Sequence, residues 1–210
     1  MLSSLRRLAQ PSSLIALLLT SWSPLAAESR WKVAADGGIT WDVRVGDPHQ
    51  DQIEMSGRKV SVILTYGVVE DGATVLTRQV VFPSLRTIPN DTHASLSYKF
   101  AADATPRFFI DGKPVVSETT THVHIRGLVT IDSVLGKNKD IALTRVIFPS
   151  TAQPLVLERY TFTNHSAQAA TVEAEDTVKT VRTSASRGVA GEYLITAQVV
   201  DAGPKTVKPG

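Results

Sequence analysis

Residues 47–96 read DPHQDQIEMSGRKVSVILTYGVVEDGATVLTRQVVFPSLRTIPNDTHASL. Two β-branched runs, 59–69 and 74–82, flank Glu70-Asp71-Gly72. Gly72 can take the positive φ of a tight hairpin, so the runs are expected to pair. The segments on either side, 47–57 and 84–96, hold more polar and charged side chains than a plain connection needs.

The pattern extends outward. In 39–45 apolar and polar residues alternate, which would place Ile39, Trp41, Val43 and Val45 on one face. Runs at 107–110 and 114–116 enclose Asp111-Gly112-Lys113, a second hairpin signal. Further strand-like stretches fall at 119–125, 128–133, 141–148, 155–163, 170–178 and 192–200. No stretch sustains helical periodicity. Pro83, Pro89, Pro106, Pro149 and Pro154 fall between the runs, as expected of a residue that cannot donate to a central ladder. The pattern predicts an all-β fold, a two-layer antiparallel β-sandwich of supersandwich type over residues 39–210. A loose lead-in at 28–38 and a mobile loop at 184–191 complete this reading. Pro209-Gly210 is a pair that usually introduces another strand, so the sandwich is expected to be incomplete there and to expose a sheet edge.

Residues 1–27 read as a signal peptide. Arg6 and Arg7 precede the apolar run 14–19, and Pro24-Leu25-Ala26-Ala27 offers a cleavage site after Ala27. The run is far shorter than the roughly 20 residues a membrane span needs. An exported protein, periplasmic or extracellular, with no span after cleavage is the expectation. Cleavage lowers Lys+Arg from 22 to 20, against 20 Asp+Glu. A neutral chain without clustered bases has no electrostatic footprint for nucleic acid. With no cysteine, disulfides and thiolate metal sites are excluded, and stability must come from the core.

Neither a cofactor nor a metal is expected. His122 and His124 sit two apart on a strand, with Glu118 as the one nearby third ligand, and read better as polar residues on a solvent face. No nucleophile elbow or phosphate loop is present. Trp41 reads as core, and few aromatics remain for a sugar-stacking platform. The sequons at Asn90 and Asn164 carry no assigned function.

Asp51 and Glu54 can hydrogen-bond sugar hydroxyls or brace a neighbouring domain; equally, they can cap a turn, with Glu54 paired to Arg58 or Lys59. Arg86, Asn90 and His93 offer a guanidinium fork, an amide and an imidazole on a loop stiffened by Pro89. They could dock on a second domain or line its entrance. An ion pair from Arg86 to Glu54 or Asp51 is the favoured local arrangement.

Asp51-Gln52-Ile53-Glu54-Met55-Ser56-Gly57, together with residues 86–96, RTIPNDTHASL, resembles the N-terminal β-sandwich of bacterial six-hairpin glycosidase-like proteins related to α-L-rhamnosidases. The departures are Gln52, where that pattern commonly has histidine, and Asp91 in place of asparagine. The resemblance implies a β-sandwich beside a helical catalytic barrel whose acids carry hydrolysis. It assigns this chain no catalytic residue of its own and makes Asp51, Glu54, Arg86, Asn90 and His93 candidates for contact with a glycan or the barrel. An independent exported glycan- or partner-binding sandwich is the alternative.

Overall fold

The computed structural model describes residues 29–89, 94–101 and 104–210. The leader expected over 1–27 and the loop residues Asn90 and His93 lie outside the described residues. The fold is all-β, with antiparallel sheets packed together and no closed barrel.

A six-stranded sheet forms the base. Its strands are β1 (Lys32–Val33), β2 (Ile39–Asp42), β9 (Glu118–Ile125), β10 (Val129–Leu135), β11 (Ile141–Pro149) and β12 (Val156–Asn164), adjacent in that order. A four-stranded meander covers one half: β3 (His49–Ser56), β4 (Ser61–Val68), β5 (Thr74–Arg86) and β6 (Ser95–Phe100). A third sheet holds β7 (Phe108–Ile110), β8 (Lys113–Pro114), β13 (Ala170–Ala174) and β16 (Gly203–Val207), in the order β16-β13-β7-β8. A ribbon of β14 (Val178–Arg182) and β15 (Leu194–Gln198) forms a separate two-stranded sheet.

Strand alternation decides which residues meet between the layers. Trp41, Val123, Ile131 and Ile147 of the base pack against Met55, Val62, Leu64 and Tyr66 of the meander. Leu135, Ile141 and Leu143 pack instead with Phe108, Ala170 and Val172 of the third sheet. One face of β10 and β11 therefore serves two cores side by side. Fully burying a side chain such as Leu64 or Ile131 contributes about 1.5–3 kcal/mol. A third cluster seats Ile195 of the ribbon on Val60, Val80, Phe82 and Leu96.

Both expected hairpins form. Gly72 has φ +80° in the β4–β5 turn, and Asp111 and Gly112, both at positive φ, join β7 to β8. Elsewhere the structure corrects the sequence reading. The polar flank 47–57 is largely strand β3, an outer strand with one face in water. Residues 95–100 form a strand the reading omitted, and 170–178 is not one strand but parts of β13 and β14 in two sheets. Pro83 lies inside β5, where pairing with β6 is interrupted between Phe82 and Arg86, so its missing N–H costs no ladder bond there. Val45 is 67% exposed, past the end of β2.

The lead-in is not loose. Lys32 and Val33 pair with Thr40 and Ile39, and Trp31 packs on the first core. The loop at 184–191 is also tied down: Val189 N and the Tyr193 hydroxyl both donate to Arg86 O, at 3.1 and 2.9 Å. At the C-terminal end β16 is an outer strand paired with β13, so a sheet edge does lie there.

Candidate functional site

The two carboxylates of the Asp51–Gly57 element separate at once. Three residues apart on a strand, they point to opposite faces of β3. Asp51 turns inward, where its Oδ2 accepts from Trp31 Nε1 at 3.0 Å and lies 2.9 Å from His49 Nε2. Around it Trp31 packs against Trp41 and Tyr66, with ring centroids 5.9 and 6.3 Å apart, and His49 meets Trp41 edge-on. Burial, and secondarily the Asp51 charge, push the Tyr66 hydroxyl up to about 12. Asp51 thus fixes the lead-in segment to the sandwich through an indole.

Glu54 is exposed and accepts a hydrogen bond from Ser56 Oγ at 3.3 Å. Arg86 donates to Ser95 Oγ at 2.6 Å across β5–β6. The expected ion pair from Arg86 to Glu54 or Asp51 does not form. Glu54 stands opposite Ile63, and Ile63 opposite Gln79, seven residues from Arg86 along β5. At about 3.3 Å per residue, that is a gap of roughly 20 Å. The candidate residues within the described chain therefore share no cleft.

A hollow of about 240 Å³ opens beside the Asp51 cluster, lined by Ser29, Arg30, Lys32, Trp41, Asp42, Arg44 and Asp47. Arg30 Nη2 pairs with Asp47 at 2.8 Å, and its guanidinium lies 5.7 Å from the Trp41 ring centroid. Lys32 Nζ is 3.8 Å from Asp42. Asp42 also holds His122 Nδ1 at 2.9 Å, while His122 Nε2 meets Thr40 Oγ1 at 2.7 Å. His124 pairs separately with Asp36 at 3.2 Å. Glu118 is bound to Arg145, so the two histidines and the glutamate answer to three different partners.

That last pair belongs to a buried polar seam where the two cores meet. The Arg145 side chain, 3% exposed, makes a two-point pair with Glu118, its Nη2 lying 2.8 Å from Oε2. Its Nε sits 3.5 Å from Glu158 Oε1 without a hydrogen bond. Glu158 in turn takes Nε and Nη2 of Arg78, each at 2.5 Å, so the meander is joined to β12. Ser133 Oγ donates to Glu118 at 2.7 Å, and Phe108 and Tyr160 lie beside the Arg145 guanidinium. Burial pushes the Glu118 carboxyl up, but Arg145, with Ser133 and Thr74, pulls it net below its ordinary value. It therefore stays ionised at neutral pH and is no proton donor.

Comparisons with protein-family profiles, curated proteins and solved structures find no match. The geometry alone carries the functional argument.

Sequence reasoning missed the seam, although strand parity carries the signal. Arg145 follows Ile141 and Leu143 at the inward spacing, Arg78 sits between Leu76 and Val80, and Glu158 between Val156 and Tyr160. Four charges at core-facing positions, two of each sign, mark such a seam. The Asn164 sequon proves structural. Asn164 is 1% exposed, and its amide donates to Gln168 O and Val207 O at 2.7 and 3.0 Å, which binds β16 to the end of β12.

Proposed function

We propose that the chain is the non-catalytic N-terminal β-sandwich of an exported glycoside-hydrolase-like protein, working beside a helical catalytic barrel. The observation that carries this reading is the dispersal of the candidates among the described residues. Asp51 anchors Trp31, Glu54 faces water on the other side of β3, and Arg86 braces β6 and the 184–193 segment. Glycoside hydrolysis needs two carboxyl groups about 5–10 Å apart across an open cleft. Glu118 and Glu158 are instead consumed by arginines inside the protein. The leader-like start and the two-layer β architecture agree with the same reading.

Incubation of the purified chain with rhamnosides and with plant or bacterial polysaccharides is expected to release no sugar. Mixing it with a separately expressed barrel of a six-hairpin glycosidase is expected to give a complex on gel filtration. Robust turnover by the chain alone, or no complex with any such barrel, overturns the proposal. The second reading, a glycan-binding sandwich, is favoured by one observation, the hollow beside Trp41.

A further inference from the structure

The β13–β16 pair and the β14–β15 ribbon are two halves of one long hairpin. β13 pairs with β16 up to Ala174↔Gly203, and β14 pairs with β15 from Val178↔Gln198. Between those rungs the outgoing strand has three residues, 175–177, and the returning strand four, 199–202. The odd residue makes a bulge, and a bulge bends a hairpin. Asp201 at φ +62° and Gly203 at φ +101° lie in this bend, and beyond it Val199 N donates to Thr177 O at 2.9 Å as the ribbon resumes. The distal half, residues 176–201, is thereby laid back on the meander as an arm.

Among the described residues no ladder joins this arm to another sheet. An isolated two-stranded hairpin is marginal in water, so the arm needs a seat. Its seat is the pocket of Val60, Val80, Phe82 and Leu96 that buries Ile195, with Arg86 O accepting from Val189 N and the Tyr193 hydroxyl. None of these contacts depends on which copy of the chain supplies the arm. An arm reaching over from a second copy makes each of them again, and only the hinge changes.

Two features of the hinge favour that exchange. Asp201 is held in the left-handed region, and straightening the hinge releases it. Val178 and Val200, 64% and 78% exposed, flank the hinge, and two straightened hinges side by side would cover them.

We propose that two copies of this chain exchange arms, each Ile195 seated in the other copy's pocket. The partner is a second copy because the seat already fits this arm side chain for side chain. The exchange needs no barrel and is independent of the scaffold role.

The test is the oligomeric state of the mature chain, refolded from urea at low and at high protein concentration and measured by light scattering after gel filtration. The dimer share is expected to rise with the refolding concentration. Asp201→Gly, which takes a positive φ freely, should lower the dimerisation constant at least about tenfold. Asp201→Pro, which cannot take it, should raise the constant by at least as much. If the proline variant fails to fold, deletion of Val200 decides, since it removes the odd residue and with it the bulge; it too should favour the dimer. Exchange is separated from contact between closed copies by cross-linking. The chain has no cysteine, and Val189 N lies 3.1 Å from Arg86 O. Arg86→Cys and Val189→Cys chains, refolded together and treated with a short bifunctional maleimide, should give a covalent dimer on a denaturing gel. Chains that stay monomeric at every concentration, the hinge variants included, overturn the proposal. A dimer in which the two cysteine chains do not cross-link overturns it as well.

Discussion

Replacing Arg145 with leucine removes the central cation of the seam. Glu118 is left with Ser133 and Thr74, and Glu158 with Arg78. Side-chain exposure is 3% for Arg145 and 20% for Glu118, so water screens the pair little. Breaking such a buried pair costs about 3–5 kcal/mol, a large share of the about 5–15 kcal/mol that holds an ordinary domain folded. The cost should depend on pH, with a definite sign. In the native protein the Glu118 carboxyl lies below its ordinary value of 4.5, so its contribution is present above that value and is lost as pH falls through the lower folded one. In the variant, burial, the largest cause, is opposed only by Ser133 and Thr74 and raises the carboxyl above its ordinary value. The variant's folded state then holds a proton that its unfolded state has lost, and its stability falls as pH rises. The deficit relative to the native protein should therefore be smaller near pH 4 than at pH 7, where it approaches the amounts above. Urea unfolding at the two pH values, with matched m-values, measures it. A deficit below about 1 kcal/mol at neutral pH, or one that does not change with pH, refutes the reasoning. The double variant Arg145→Leu/Glu118→Leu should recover most of the loss, because an apolar pair needs no desolvation of charge.

Asp51→Ala should cost about 1–3 kcal/mol by leaving the Trp31 N–H without its acceptor. In the same variant the Tyr66 phenol should titrate below about 12 yet above 10.0, since burial is the larger cause, and ultraviolet titration reads this directly. Asn164→Ala takes a donor from Val207 O and from Gln168 O, which keeps Ser166 Oγ, and an acceptor from Ser166 N; it should lower stability by about 2 kcal/mol, with faster amide exchange in β16 as its local signature. Gly67→Ala should cost about 3 kcal/mol. Gly67 has φ +152°, and an added Cβ would fall 2.0 Å from His49 O, a backbone atom that cannot swing aside; thermal unfolding checks it.

The sheet architecture was legible wherever side chains alternate cleanly between punctuating turns. The β4–β5 hairpin shows it best: VSVILTY and TVLTRQVVF flank a glycine that the turn needs. β3 was opaque because its inward positions are His49, Asp51, Ile53 and Met55, half of them polar. An outer strand that buries a carboxylate on an indole reads as a loop. β6 was readable in principle from Leu96, Tyr98 and Phe100, but the chemistry of 86–96 drew the eye away from the period of two. Spacing along the chain could place Asp51 and Glu54 on opposite faces, since their separation is odd. It could not place Arg86, because that depends on register across three strands. The Glu118–Arg145–Glu158–Arg78 seam required parity to be read on four strands together.

The ladder between β2 and β9 sets an order of events during synthesis. Asp42 and His122 are partners across that ladder but 80 residues apart in the chain. At about 5–20 residues per second, a ribosome takes roughly 4–16 s to supply the partner strand. Throughout that interval Trp31 and Trp41 have been made while the base-sheet side of their cluster, Val123, Val129, Ile131 and Ile147, has not. The nascent chain therefore presents two indoles covered on the meander side alone, a lasting target for a chaperone that holds chains open.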